Sequence, residues 1–188
     1  ADRACFAALD MQDRLRELRQ KWQAENRPPL QARIGINSGN MIAGNIGGRY
    51  RFDYTVIGDA VNLAARLEGV NKMYGTNIII SEDTHELVKD LVIARELDFI
   101  RVKGKHKPVR VFELLARRDR GIDQEYAAVF SHFARGLEHY RLQNWKRAIY
   151  EFRRVLELKK EDGPALEFLR RCEVFMQSPR PANWDGVF

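Results

Sequence analysis

Asn62 and Arg66 stand four residues apart in the run Asp59-Ala60-Val61-Asn62-Leu63-Ala64-Ala65-Arg66-Leu67-Glu68. On a helix that spacing puts both side chains on one face, one turn apart. A planar guanidinium is suited to holding phosphate oxygens, yet an arbitrary Asn and Arg at this spacing most often do no more than solvate a helix surface. Further along, Lys103-Gly104-Lys105-His106-Lys107-Pro108 is a turn loaded with positive charge, able to attract a polyanion and equally able to be a solvated loop. Thr55 carries a hydroxyl that both donates and accepts hydrogen bonds, and threonine is also an ordinary strand residue. Asp59 reads as the N-cap of a helix rather than as a metal ligand or a base. His85, His106, His132 and His139 are scattered, with no second ligand at metal-binding spacing. The expected metal set is therefore none.

Helices and strands must hold these residues in place. From Asp2 to about Glu25 the apolar positions Cys5, Leu9, Leu15, Leu18 and Trp22 recur at helical steps, and Pro28-Pro29 stops the pattern. Ala32, Ile34 and Ile36 alternate with Arg33 and Gly35 as a strand, and the turn residues Asn37-Ser38-Gly39-Asn40 before Met41-Ile42-Ala43 predict a hairpin there. Phe52 to Ile57 reads as a strand, and a helix follows from Gly58-Asp59 to about Met73, closed by Gly75. Asn77 to Ile80 is a short buried strand, and Ser81-Glu82-Asp83 opens a helix to about Lys89. Val92–Val102 and Val109–Leu115 form a second hairpin around the basic turn. This mixture argues for an α+β sandwich with a largely antiparallel sheet. Past Arg117 only helical patterns remain, at about 123–142, 145–159 and 164–176, and Ser178–Phe188 should lie extended over a surface. The boundary between the two regions is placed at 116/117.

Composition narrows the class. The chain has 188 residues, 45% hydrophobic and 31% charged, as expected of ordinary globular proteins. Its net charge of +6 is spread evenly, with 18 basic against 15 acidic residues up to Ala116 and 14 against 11 after it. Nucleic-acid binding, which concentrates basic residues on one face or arm, is not expected. Cys5 and Cys172 are far apart, without zinc or disulfide spacing, and fit a cytoplasmic setting. No apolar run approaches the roughly 18 residues needed to span a membrane, so no membrane contact is expected of this segment. The chain opens inside a helical pattern, which reads as a segment of a longer protein, one that an upstream part could anchor to a membrane.

Taken in order, Arg33-Ile34-Gly35-Ile36-Asn37-Ser38-Gly39, Ala43-Gly44-Asn45-Ile46-Gly47, the run from Asp53 to Glu68 and Val102-Lys103-Gly104-Lys105 strongly resemble class III adenylate/guanylate cyclase catalytic domains. The resemblance covers about residues 1 to 116. It implies a ferredoxin-like nucleotide cyclase sandwich without its N-terminal part. That family joins the ribose 3′ hydroxyl to the α-phosphate of the same nucleotide and expels pyrophosphate. By resemblance Asn62 orients the ribose, Arg66 binds the α-phosphate, Lys103 contacts the terminal phosphates, and Thr55 helps read the base, favouring ATP. The family's two metal-binding aspartates, which hold Mg or Mn, come from strands that would precede this segment. The segment is thus expected to bind no metal, to be inactive alone, and to work as a homodimer or higher oligomer. Gly136, Tyr140, Trp145, Ala148, Phe152 and Leu156 resemble one tetratricopeptide repeat, which implies a helical tail over residues 117–188 that packs on the cyclase portion or meets a protein partner. The leading functional expectation is part of an adenylate cyclase making cyclic AMP for signalling. The alternative is a non-catalytic cyclase-like scaffold or interaction module.

Overall fold

In the computed structural model, which describes residues 1–48, 51–101, 108–121, 124–178, 180–181 and 183–188, the chain runs α1 (Asp2–Ala24), β1 (Ile34–Ile36), β2 (Ile42–Gly48), β3 (Arg51–Ile57), α2 (Asp59–Tyr74), β4 (Ile78–Ser81), α3 (Glu82–Val88), β5 (Val92–Ile100), β6 (Val109–Arg117), a short 3₁₀ turn at Arg118–Arg120, α4 (Gln124–Arg141), α5 (Trp145–Leu158) and α6 (Gly163–Gln177). Four strands form one sheet in the order β1-β4-β6-β5. Its β1–β4 pair is parallel, and the β4–β6 and β6–β5 pairs are antiparallel. The consecutive isoleucines of β4 are all buried, as befits a strand covered on both faces.

Because successive side chains on a strand point to opposite faces, β4 divides its isoleucines between two cores. Ile78 and Ile80 join Cys5, Ala8 and Leu9 of α1, Val88 of α3 and Phe112 and Leu114 of β6. Ile79, with Leu97 of β5 and Val111 of β6, faces Leu63, Leu67 and Tyr74 of α2. That second core continues without a break into Phe133, Leu137 and Tyr140 of α4, Phe152 of α5 and Phe168, Cys172 and Phe175 of α6. The composition change near Arg117 coincides with the end of β6, while the apolar interior runs across it.

Two buried ion-pair networks also join the sheet to the tail. Arg95 of β5 donates to Glu113 of β6 at 2.7 Å and to both oxygens of Asp162 at 2.8 and 3.2 Å. Asp162 in turn caps α6, accepting from the Ala165 amide at 3.1 Å. Arg171 of α6 donates to Asp98 of β5 at 2.6 Å, and the Tyr74 hydroxyl donates to the same carboxylate at 2.5 Å. Asp98 and Arg171 are 3% and 1% exposed. Charges this deep are tolerated only with close partners.

Two sequence expectations are corrected. Ile34–Ile36 and Met41–Ala43 do not form a hairpin: β1 pairs with β4, and β2 pairs with β3 as a separate two-stranded ribbon, from Ile42↔Ile57 to Gly48↔Arg51. Residues 37–40 form an irregular segment bent at Gly39, where Asn37 uses its amide to donate to the Ala60 carbonyl at 2.9 Å and so directs the chain toward α2. Nor is Asp59 an N-cap. The cap is Gly58, at φ 145° and ψ 169°, and no side chain caps the helix. Only glycine adopts that conformation readily, so the helix boundary falls on it and Asp59 becomes the first helical residue. There its negative charge still complements the helix dipole.

Candidate functional site

The stripe Leu63, Leu67, Asn71 and Tyr74 buries one side of α2. Asn62 and Arg66, next to that stripe, remain exposed, one turn apart on the same face. Three contacts with β1 and its following turn fix where this face points. The Asn71 amide donates to the Ile34 carbonyl at 3.0 Å, and Asn37 holds Ala60 at the other end of the helix. Between them α2 passes so close to Gly35 that a Cβ there would overlap the Ala64 carbonyl oxygen and the Glu68 nitrogen.

Thr55, exposed on β3, lies opposite Gly44 in the ribbon, and β3 leads through Gly58 straight into α2. Thr55, Asn62 and Arg66 are thus carried by one continuous strand-helix unit. Lys103, with Lys105, Lys107 and His106, lies outside the described residues. It sits between Arg101 at the end of the β5 segment and Pro108 just before β6.

Beside Arg66 opens a cleft of about 320 Å³, lined by Arg66, Val70, Met73 and Tyr74 of α2, residues 98–101, Arg171, Val187 and Phe188. Its floor is the Asp98–Arg171–Tyr74 cluster. Burial pushes the Asp98 carboxyl above its ordinary value, against the pull of Arg171 and the Tyr74 hydroxyl. Burial also drives the Tyr74 phenol well up, with the Asp98 charge adding to it. Tyr74 is therefore a fixed donor at neutral pH rather than a base. A larger cleft, about 470 Å³ between β5 and α4, is lined by Arg95, Phe130, Leu137 and Arg141 among others and touches none of the expected site residues.

Among the described residues no group of three or more His, Cys, Asp or Glu is placed to hold a metal ion, so the side chains seen here do not fit a metal centre. His85 stacks on Phe112 with ring centres 3.9 Å apart, and burial lowers its pKa. His132 pairs with Glu151 at 2.7 Å. Both cysteines are free and buried, and burial raises Cys5 to about 11 and Cys172 to about 12. Among the described residues no helix is long and apolar enough to cross a membrane. Sequence reasoning missed Asn37 and Asn71, which aim α2, and Arg101, which shares the cleft with Arg66. The one local signal was the run of charges Arg95, Glu96, Asp98 and Arg101 in an otherwise apolar strand pattern.

Comparison with known proteins places this geometry in context. The model of the adenylate and guanylate cyclase catalytic domain matches residues 2–115. Adenylate cyclase 1 of Rhizobium meliloti (strain 1021) is 36% identical over 115 residues, 61% of this chain and 17% of that protein. The crystal structure of the adenylyl cyclase CyaB from P. aeruginosa is similar with a TM-score of 0.52 at 38% identity, over 59% of this chain and 57% of that one. The guanylyl cyclase Cya2 gives 0.53 at 34% identity, over 64% and 60%. The chain therefore spans under a fifth of the length of the Rhizobium relative and less than two thirds of either solved chain.

Proposed function

Since this chain belongs to the adenylate and guanylate cyclase catalytic domain family, we propose that it carries the nucleotide-facing half of an adenylate cyclase site, with Asn62 and Arg66 as its catalytic pair. The observation that carries the reading is their placement: exposed, one turn apart, on a helix pinned at one end to β1 and at the other to Asn37 just after it. In the reaction the ribose 3′ hydroxyl loses its proton to solvent and its oxygen bonds to the α-phosphorus, while the bond from that phosphorus to the bridging oxygen breaks and pyrophosphate leaves with the electron pair. Negative charge grows on the phosphate oxygens, and a guanidinium held in advance at that position lowers the barrier. Asn62 holds the ribose, and Lys103 takes the terminal phosphates.

Thr55 is the base-reading residue, and its hydroxyl accepts from the adenine amino group. This favours ATP over GTP, though both an adenylyl and a guanylyl cyclase are among the similar structures. Mg or Mn belongs, on this reading, to aspartates of the longer parent or of a partner subunit, and the chain alone turns over negligibly. Dimerisation is supported by the ribbon β2–β3, where the directly paired Ile42 and Ile57 are 68% and 46% exposed; large exposed apolar groups clustered together mark contact surfaces.

The test is cyclic AMP formation from ATP with manganese. The chain is mixed with a family domain that keeps its metal aspartates but has lost its Asn-Arg pair. Activity should appear on mixing and disappear with Asn62→Ala or Arg66→Ala. Silence despite demonstrated association would sink the proposal.

A second reading, a scaffold that recruits a protein partner through a tetratricopeptide-like tail, is favoured by the α4–α5 pair. There Gly136 lets the helices meet, since a Cβ would stand 2.6 Å from the Phe152 ring, and Leu142 and Tyr150 stay largely exposed.

A further inference from the structure

The cleft beside Arg66 is closed on one side by the segment 183–188. Trp184 inserts among Tyr140, Trp145 and Phe175, with ring centres 5.2 to 5.8 Å away. Its indole donates to the Val187 carbonyl at 2.7 Å. Phe188 packs on Phe175 at 5.5 Å and under the Arg171 guanidinium at 4.7 Å. Between these anchors Asp185 points to Arg101, and the two form an ion pair.

The charges around the cleft are unequal in their commitments. Arg171 and Asp98 neutralise one another inside the protein. Arg101 and Asp185 are 54% and 41% exposed, and an ion pair so open to water is weak. A polyanion arriving at Arg66 would meet Arg101 in the same cleft, bound to a single carboxylate that it outcompetes by charge. The other oxygen of Asp185 accepts from the Val187 amide at 3.2 Å, so the carboxylate keeps a partner when Arg101 turns to a phosphate.

We propose that Arg101 is a further contact for the polyphosphate of the nucleotide, and that Asp185 competes with the polyphosphate for it, making the segment 183–188 an electrostatic gate on the site. This rests on the reading of Arg66 as a phosphate-binding residue. The polyphosphate chain is the shared chemistry, whether it belongs to a nucleotide or stands free.

The experiment is calorimetric titration of the chain with inorganic tripolyphosphate, and in parallel with ATP, at low ionic strength. Asp185→Asn should tighten tripolyphosphate binding about fivefold, the upper range for releasing an exposed pair. Arg101→Gln should weaken it about tenfold, Arg101→Lys should retain most of it, and Asp185→Asn should bring no gain once Arg101 is Gln. ATP should follow the same order, with its base adding affinity that these variants leave alone. Unchanged binding in Asp185→Asn, or the same gain with and without Arg101, would overturn the gate. A loss in Arg101→Gln that Arg101→Lys does not restore would overturn the phosphate contact. Arg66→Gln separates the premise from the proposal: if it binds tripolyphosphate as the parent does while Asp185→Asn still tightens binding through Arg101, the assignment of Arg66 falls and the gate stands.

Discussion

Arg171 shows how much a single side chain can hold. Its guanidinium reaches Asp98 and Glu167 and lies over the rings of Tyr74 and Phe168. Arg171→Met leaves the Asp98 charge buried with only the neutral Tyr74 hydroxyl and Phe99 amide as donors and should cost about 3–5 kcal/mol, read from urea unfolding. Asp98→Asn in the same background should recover part of that loss. Asp162 offers a pH signature. Burial alone would raise its carboxyl, but Arg95 and Lys159 outweigh burial and hold it below its ordinary value. A carboxyl whose folded pKa is depressed stabilises above its unfolded value and loses that contribution as pH falls through the folded one. The acid unfolding of Asp162→Asn should therefore be less steep below about pH 4. At the proposed site, Arg66→Ala should lower the complemented rate about 10²- to 10³-fold, the usual loss on removing one charge-stabilising donor. Asn62 and Arg66 could be singled out because their motif is contiguous. Asp98 with Arg171, and Arg95 with Asp162, could not, since residues 73 and 67 positions apart meet only through the fold.

At the scale of elements, α2 decides where the site points, and Gly35 decides how closely α2 can approach. Gly35→Ala should push the helix from β1 and destabilise by about 1–3 kcal/mol. Because a displacement of about 1 Å can cost two orders of magnitude in rate, the complemented activity should fall by more than the folded fraction does. Measuring activity per folded molecule, by circular dichroism alongside the assay, separates the two. Element types were largely readable from apolar spacing, as the three isoleucines of β4 and the α5 stripe Ala148, Phe152 and Val155 illustrate. Pairing was less so. The Asn37–Asn40 signals mark where β1 ends, but the end of a strand does not state its partner. The parallel β1–β4 contact is long-range, whereas the β2–β3 ribbon was hidden because glycine-rich β2 has little strand propensity. A cap was expected from the Asp59 side chain, and the backbone conformation of Gly58 took its place.

For the whole molecule the decisive fact is that one apolar interior, with two buried ion-pair networks, joins the sheet to the tail. The chain should unfold in a single calorimetric transition, without a separate tail event. The family domain model matches only as far as residue 115, inside the β6 strand, and that is where a recombination event or a gene fusion guided by the domain boundary would place its junction. Such a crossover would hand the recipient a sheet whose core has lost the aromatic half supplied by Phe133, Tyr140, Phe152 and Phe168, with Arg95 parted from Asp162 and Asp98 from Arg171. The inheritable unit, the piece that can be moved between proteins and still fold, is therefore longer than the domain that the family shares.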